Sequence, residues 1–292
     1  MSSEMVAVYD LARCPPTYDV IAFLSLLELE RKRRGCSSVE LHILPGPVGG
    51  FRADSLWPRS IEERVHMRDN VLIPICHLLP SVSSVGIKDR LSRRYYELDD
   101  WGFNKYLISL PNYVPALKQG SRPLRVRDEW ALGPPDPKLI TMTLREAEHW
   151  SQRNSRSEEW FKAGRVLRDR GYRVVIIRDT LKADHTVEGL EVDNLSATHI
   201  NVRSAMYARA LINIGINNGP MWMAVAMNAP VLMLRPVTDV AGGCFTTNFF
   251  RRYGVTPESD LPTAPLHQRL VWEEDIADNI LKAFDEMLPC LI

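Results

Sequence analysis

The 292-residue sequence lacks the short motifs that mark several large enzyme classes. It contains no GxGxxG turn, no GxxxxGK[ST] loop and no GxSxG elbow. These absences weigh against a nicotinamide-dependent dehydrogenase, a P-loop NTPase and an α/β-hydrolase. HExxH and DxD patterns are also missing, and the adjacent Asp99 and Asp100 do not form one. We therefore assign no metal site and expect no cofactor.

Paired cysteines, long apolar runs and an excess of one charge are missing as well. The five cysteines are scattered without CxxC spacing, so neither a disulfide framework nor a structural zinc site is indicated. No run of about 18 apolar residues occurs, and no basic start precedes an apolar segment, so we expect a cytoplasmic protein without a transmembrane segment. Thirty-six basic residues balance thirty-six acidic ones, which gives no reason to expect nucleic acid as a partner.

The chain does contain a regular alternation of β-rich and helical segments. MVAVYDL is a strand candidate, a helical pattern runs on to Gly35, and VELHILPG is the next strand candidate. Four cleaner strand–helix repeats follow in the second half. This order is typical of parallel sheets, and a length of 292 residues favours two domains. The sequence therefore predicts an α/β protein with two Rossmann-like domains facing across a cleft.

The best linker candidate is ALGPPDPK, which holds three prolines and a glycine. It predicts two domains, over residues 1–132 and 138–292, each with its own mainly parallel sheet. Within the first half, NVLIPICHLLP (70–80) is interpreted as a buried strand, and KYLISL (105–110) as another.

One apolar stretch of the second half, INNGPMWMAVAMNAPVLMLRP, is interrupted by two amides, a glycine and a proline. In an open α/β sheet, ligands bind where strands end and helix N-termini present unpaired N–H groups. Gly219 permits close approach of the backbone, and Pro220 suits the first helical position. The following helix would turn its positive end towards an anion such as a nucleotide diphosphate. A plain strand-to-helix turn capped by Asn218 remains the alternative.

This stretch resembles the donor-site segment of GT-B glycosyltransferases, particularly the heptosyltransferase-like group. In that family a similar turn and Ala-rich helix receive the phosphates of a nucleotide sugar, and a Pro-initiated strand follows. The resemblance covers about the last half of the chain. The acidic or hydroxyl residue and the histidine common in the family segment are replaced by Asn217, Asn218 and Trp222. The resemblance implies that the donor-binding residues are Asn217, Asn218, Gly219 and Pro220, which form the phosphate-facing turn, and Met221, which begins the helix after it.

Two further donor-side candidates lie at predicted strand ends. Arg145 ends the first strand of the second domain, and its paired N–H groups match phosphate oxygens. An ion pair of Arg145 with Glu146 is the alternative. Asp179 closes the next strand, where an acid can hold ribose hydroxyls. A helix-capping role for Asp179 is equally consistent with its position. The glycines and hydroxyls of GGCFTTNFF (242–250) are further candidates for lining the cleft.

The acceptor side requires a base that takes the proton of the acceptor hydroxyl. The GT-B resemblance implies that residues 1–132 form the acceptor-side domain, which supplies this base, and that residues 138–292 form the nucleotide-sugar-binding domain. We select Asp10 as the catalytic base and Asp19 as the next choice; Asp10 as a cap of the turn before CPPTYD is the alternative. Gly49, Gly50 and Arg52 form a possible substrate loop, for which a tight surface loop is the equally simple interpretation.

The sequence and the resemblance together predict metal-independent transfer of a sugar from a nucleotide-sugar donor to an unknown acceptor, in the synthesis of a surface polysaccharide or glycoconjugate. Two rival functions remain open. A GT-B-fold nucleotide-sugar epimerase would need acids and bases on both sides of one bound sugar. A non-catalytic GT-B-like protein that binds a nucleotide or a partner is favoured by the missing histidine. The sequence gives no indication of the oligomeric state.

Overall fold

A computed structural model describes residues 4–53, 60–89, 113–148, 151–234, 260–261 and 263–292. The chain divides into two units, Met1–Arg125 and Val126–Ile292, and each contains a sheet of its own. The proline-rich segment follows this division, and its last residues already belong to a strand. The functional domains 1–132 and 138–292 stay a prediction. KYLISL and GGCFTTNFF lie outside the described residues.

The first unit is built on three parallel strands in the order β1-β2-β3. The strands are β1 (Glu4–Asp10), β2 (Ser38–Leu44) and β3 (Val82–Ile87). Helix α1 (Val20–Arg33) connects β1 to β2, carries Arg31, Lys32 and Arg33 in its last turn and is followed by Gly35 at φ 67°. The basic residues of the last turn complement the helix dipole. The left-handed Gly35 ends the helix, where the sequence predicts the end.

The predicted strand over residues 70–80 is wrong, because this segment is helical. A π-helical turn (Arg68–Leu72) and α3 (Ile73–His77) run through it, directly after α2 (Ile61–Met67). Pro74 has no N–H to donate, so the backbone widens, and the Ile73 N–H donates to the Arg68 carbonyl five residues earlier. Leu72, Ile75, Cys76 and Leu79 are buried. These four positions have helical spacing. Because nearly all the residues around them are apolar too, the sequence shows no clear helical periodicity here. A short helix, α4 (Tyr113–Lys118), follows later in this unit.

The second unit is a doubly wound α/β domain. Its six parallel strands lie in the order β6-β5-β4-β7-β8-β9. The strands are β4 (Asp136–Thr143), β5 (Arg173–Ile177), β6 (Glu191–Val192), β7 (Ala210–Ile216), β8 (Val231–Leu234) and β9 (Gln268–Val271). The helices are α5 (Ser157–Asp169), α6 (Asn194–Thr198), α7 (Ile200–Arg209), α8 (Gly219–Ala226) and α9 (Ala277–Met287). The predicted α/β class with parallel sheets is confirmed.

Helices α5 and α9 complete the core of this unit and cap each other. The Arg156 N–H, at the N-cap of α5, donates to the Asp275 carboxylate at 2.9 Å, and the Ala277 N–H of α9 donates to Glu159 at 2.8 Å. Buried Trp160 also donates to Asp275, at 2.7 Å. These contacts satisfy backbone groups that helix termini leave unpaired. The N-cap position belongs to Arg156, and Ser157 is the first residue of α5. No helix in the described ranges has the length and apolar character needed to cross a bilayer.

Candidate functional site

The strand order of the second unit directs attention to one position on its sheet. The chain runs outward from β4 through β5 to β6, then returns to the other side of β4 and continues through β7, β8 and β9. The direction reverses between β4 and β7. In doubly wound sheets, ligands bind at such a switch point, outside the carboxyl ends of the strands. The turn at Arg145 follows β4 and the turn at Asn217 follows β7, so these two turns flank the switch point.

Helix α8 begins directly after the β7 turn and is capped by it. The Asn218 Oδ1 accepts the Met221 N–H at 3.0 Å, and the Asn218 carbonyl accepts the Trp222 N–H at 3.2 Å. Because the helix begins at Gly219, Pro220 is its second residue and not its first. Gly219 is not among the glycines with positive φ, so the backbone angle does not require glycine at this position. What glycine provides here is the absence of a side chain.

Asn217 carries a donor without a partner. Its Oδ1 accepts the indole N–H of Trp222 at 2.9 Å, and since that group only donates, the orientation of the amide is fixed. Asn217 is 2% exposed, and its Nδ2 has no hydrogen-bond partner. Among the described residues, the Gly219 N–H also has no acceptor. An unpaired buried donor is unfavourable. The β7 turn therefore offers two unused donors to an acceptor oxygen.

The Met221 side chain packs inward and supports the turn from below. It is fully buried, and a Cβ placed on Gly215 would lie 2.7 Å from the Met221 sulfur and 3.0 Å from the Thr143 carbonyl oxygen. Gly215 is therefore needed for the close packing of α8 onto β7 beside β4. The sequence predicts Met221 as the donor-binding residue that begins this helix, but the helix begins at Gly219; the Met221 side chain packs inward, and its N–H is held by Asn218.

Electrostatics distinguish α8 from α5, the other helix that starts beside the switch point. The first turn of α5 contains Glu158 and Glu159, and its N-cap amide is bonded to Asp275. The first turn of α8 contains no acidic residue. A helix N-terminus attracts anions, and carboxylates placed there already satisfy it. Of the two helices, α8 is the one suited to an anionic ligand.

Arg145 lies at the switch point but is mostly buried. It is 8% exposed, its Nη1 donates to the Asn154 Oδ1 through a short hydrogen bond, and its backbone N–H donates to the Ser155 hydroxyl at 2.9 Å. Glu146, the partner named in the alternative, forms ion pairs with Arg178 and Lys182. Arg145 thus anchors the loop after β4.

Glu146 and Arg178 form a buried ion pair that sequence reasoning missed. Arg178 donates to both carboxylate oxygens, with its Nε at 2.9 Å from Oε2, and the two side chains are 9% and 2% exposed. Burial alone would raise the pKa of Glu146, but hydrogen bonds and charge from Arg178, with the charge of Lys182 at 3.5 Å, outweigh it, so the pKa is lowered. The pair joins the turns after β4 and β5.

Asp179 makes the bonds expected of a cap. Its Oδ1 accepts the Thr180 N–H at 2.8 Å, and its Oδ2 accepts the Glu146 N–H at 3.2 Å. These contacts agree with the capping alternative, and a contact with ribose hydroxyls stays a prediction.

In the first unit, both acidic candidates lie near the end of β1. The Asp10 Oδ1 accepts the Ala12 N–H at 2.8 Å, and its Oδ2 lies 3.6 Å from the Arg13 Nε, so Asp10 caps the turn while 32% of its side chain is exposed. Asp19 precedes α1 without capping it, and its Oδ2 accepts the Thr17 hydroxyl at 2.5 Å. A role of either carboxylate as a base stays a prediction.

The loop after β2 is a tight turn. The Gly46 N–H donates to the Gly50 carbonyl at 2.8 Å, and both Gly49 (φ 57°) and Gly50 (φ 89°) are left-handed, which requires glycine there. The Arg52 Nη1 donates to the Arg13 carbonyl at 3.2 Å, which ties this loop to the one after β1. The described residues contain no group of three or more His, Cys, Asp or Glu side chains placed to hold a metal ion.

The fold and the site geometry define the second unit as a doubly wound α/β domain whose switch point faces a helix N-terminus free of acids. No protein-family model and no curated protein sequence matches the chain.

Three solved structures of similar fold are glycosyltransferases. The E. coli heptosyltransferase WaaC with ADP has a TM-score of 0.53 and 11% identity, over 98% of this chain and 100% of WaaC. The E. coli ADP-heptose LPS heptosyltransferase II has a TM-score of 0.54 and 10% identity, over 99% of each chain. The iron-containing dodecameric glycosyltransferase TibC of enterotoxigenic E. coli H10407 has a TM-score of 0.55 and 14% identity, over 100% of this chain and 78% of TibC. The chain therefore has the mixed α/β fold of the heptosyltransferase-like GT-B proteins.

Proposed function

We propose that this protein transfers a glycosyl group from a nucleotide-sugar donor to an acceptor hydroxyl. The observation that carries the proposal is the start of α8 at the β4–β7 switch point, with no acid in its first turn and two unused donors at Asn217 and Gly219. Such a site suits the diphosphate of a nucleotide sugar. ADP is the nucleotide bound in one structure of similar fold, which makes ADP-linked sugars the first donors to test.

In this proposal the second unit stabilises the leaving diphosphate. Negative charge grows on the phosphate as the glycosidic bond breaks, and preorganised donors aimed at it lower the barrier. The α8 N-terminus and the Arg145 guanidinium would supply them, so we assign no metal to the step. Asp179 would hold the ribose through its carboxylate. These roles follow from position at the strand ends.

The acceptor hydroxyl must lose its proton during the transfer, and we assign this proton to a carboxylate of the first unit. Asp10 is the first choice, since about a third of its side chain is exposed while its backbone contacts fix it in place. Asp19 is the second choice. The loop with Gly49, Gly50 and Arg52 would border the acceptor. The acceptor would be a precursor of a surface polysaccharide or glycoconjugate.

Valine at Gly219 is expected to weaken nucleotide-diphosphate binding by about a hundredfold or more. A β-branched side chain at the first residue of α8 would stand beside the unused N–H and obstruct a phosphate oxygen. Gly219→Ala should give a smaller loss in the same direction. Calorimetric titration with ADP, UDP and GDP and their sugars measures both. If Gly219→Val binds these ligands as the parent does, the turn has only a structural role.

Alanine at Arg145 is expected to weaken ADP binding by about 1.5–3 kcal/mol, the scale of a charged hydrogen bond. Lysine should recover only part of the loss, because it cannot make paired contacts. Asn154→Ala is the matched control, since it removes the Arg145 anchor and keeps the charge. Equal losses in Arg145→Ala and Asn154→Ala would assign Arg145 to loop anchoring instead of phosphate contact.

A non-catalytic nucleotide-binding protein is the second candidate function. One observation favours it. Trp222 is buried and bonded to Asn217, so the place of the family histidine is occupied by a group that cannot transfer a proton. A thermal-shift screen with nucleoside diphosphates and nucleotide sugars, followed by assays for released nucleotide, separates the two functions. Tight binding without turnover across donors and acceptors would support the binding protein.

A further inference from the structure

Most N–H groups in the first turn of α8 are missing or already bonded, so few are left for a ligand. Pro220 has no N–H, the Trp222 N–H donates within the helix to the Asn218 carbonyl, and the Met221 N–H is held by the Asn218 side chain at 3.0 Å. Only the Gly219 N–H is left on the backbone of this turn within the described chain. The Asn218 amide oxygen therefore stands where a phosphate oxygen would otherwise accept a hydrogen bond.

A second observation points to a ligand at this helix end. The Asn217 amide lies against the first turn through its bond to Trp222, and its Nδ2 is buried without a partner. A phosphate oxygen near this turn would meet the Asn217 Nδ2, the Gly219 N–H and, if Asn218 moved, the Met221 N–H. Hydrogen bonds to a charged oxygen are about twice as strong as neutral ones. The anion is thus the stronger acceptor for the Met221 N–H.

We propose that Asn218 is a displaceable cap. In the ligand-free protein its side chain holds the Met221 N–H, and a bound phosphate oxygen takes over this N–H while the Asn218 side chain turns away. The inference rests on the proposed function and adds to it that ligand binding and helix capping use the same donor. No covalent bond forms or breaks in the exchange.

If this exchange takes place, the Asn218 cap lowers the affinity of the site for its ligand. The Asn218 bond stabilises only the ligand-free state, so its free energy is lost when the anion binds, and the affinity is lower by the corresponding factor. An ordinary cap stabilises the free and bound states equally and leaves the affinity unchanged. The two roles therefore predict different responses to the same substitution.

Asn218→Ala is expected to lower the Tm of the ligand-free protein and to bind ADP about fivefold more tightly, the ratio that corresponds to a typical N-cap. The gain in affinity then compensates the lost cap, so the Tm difference from the parent should disappear in saturating ADP. Titration calorimetry and thermal unfolding with and without ADP measure these quantities. A Tm difference that persists in saturating ADP, with unchanged affinity, would overturn the displaceable cap.

Asn218→Asp keeps the cap and should change the ADP affinity in the direction opposite to Asn218→Ala, without lowering the Tm. A carboxylate accepts the Met221 N–H, favours the helix dipole and repels phosphate, so the ligand-free Tm should stay or rise while ADP affinity falls more than tenfold. Asp193→Ala is the matched control, because Asp193 caps α6 through the Leu195 and Ser196 N–H groups at 3.0 and 3.2 Å. It should lower the Tm by a similar amount with and without ADP. Unchanged ADP affinity in Asn218→Asp would also contradict the proposal.

Inorganic pyrophosphate separates this inference from the proposed function. If the parent binds pyrophosphate but none of ADP, UDP and GDP, and Asn218→Ala binds pyrophosphate more tightly, the displaceable cap holds while the glycosyltransferase proposal loses its support. If ADP binds and the Asn218 variants show no opposed changes, only the inference fails. A parent that binds neither nucleotides nor pyrophosphate would overturn both.

Discussion

Alanine at Arg178 is expected to destabilise the protein by about 3–5 kcal/mol, the scale for removing one partner of a buried ion pair. The substitution leaves the Glu146 carboxylate, 2% exposed, without the guanidinium that donates to both of its oxygens. The Lys182 ammonium at 3.5 Å and the Ser157 hydroxyl at 3.3 Å remain, and neither replaces the two paired N–H groups. Urea unfolding of parent and variant at neutral pH gives the difference in unfolding free energy.

A matched surface pair provides the control. Arg173 also donates twice to a glutamate, Glu191, across neighbouring strands, but both side chains are 45% exposed. Arg173→Ala should therefore change the unfolding free energy by no more than about 1 kcal/mol. Similar small losses in Arg178→Ala and Arg173→Ala would show that burial adds nothing to the inner pair.

Acid should reduce the difference between the parent and Arg178→Ala. Glu146 has a lowered pKa in the folded protein, so the unfolded chain binds its proton at a higher pH than the folded chain does. The contribution of the pair is complete above the unfolded pKa of about 4.3 and is lost as the pH falls through the lower folded value. Unfolding curves measured between neutral pH and about pH 3 would show this convergence.

Asparagine at Asp10 is expected to reduce turnover about 10²- to 10⁴-fold, the range that a general base contributes. Because the asparagine oxygen can still accept the Ala12 N–H, the turn should remain capped, and the Tm should change little. Binding of the nucleotide to the second unit should also be unchanged. The measurement requires a donor and acceptor pair found by the ligand screen and compares kcat with the affinity for ADP.

Asp19→Asn is the comparison for Asp10→Asn. Asp19 lies nine residues later, and its carboxylate accepts the Thr17 hydroxyl without capping α1. A large loss of turnover in Asp19→Asn alone would move the base to Asp19. Full turnover in both variants would exclude a base at the end of β1.

Much of the fold could be predicted from the sequence because its signals are local. The apolar strands β1, β4, β5, β7 and β8, and the helices α1 and α5, follow from runs and periodicities within about 15 residues. Strand β3 was missed because its sequence VSSVGI is small and polar and its side chains are half-buried or exposed. The helical turn at Pro74 was missed because Val71, Leu72 and Ile73 form an apolar run with two β-branched residues, Val71 and Ile73, which also suits a strand.

The candidate site was only partly predictable for a similar reason. The Asn217–Gly219 turn and the Asn218 cap are encoded by adjacent residues, so sequence reasoning could locate them. The Glu146–Arg178 pair joins residues 32 positions apart, and only the pairing of β4 with β5 brings them together. The position of the β7 turn at the switch point likewise depends on strand order, which no local pattern specifies.

The mutual capping of α5 and α9 has a consequence for the order of events during synthesis. Trp160 and the start of α5 are made early, but their partner Asp275 is made more than a hundred residues later. Five core side chains of the second unit also come from α9: Ala277, Ile280, Ala283, Phe284 and Met287. Until α9 leaves the ribosome, the nascent chain must carry the apolar surface of α5 and the sheet without its final cover. This unit therefore cannot complete its core until α9 has been synthesised.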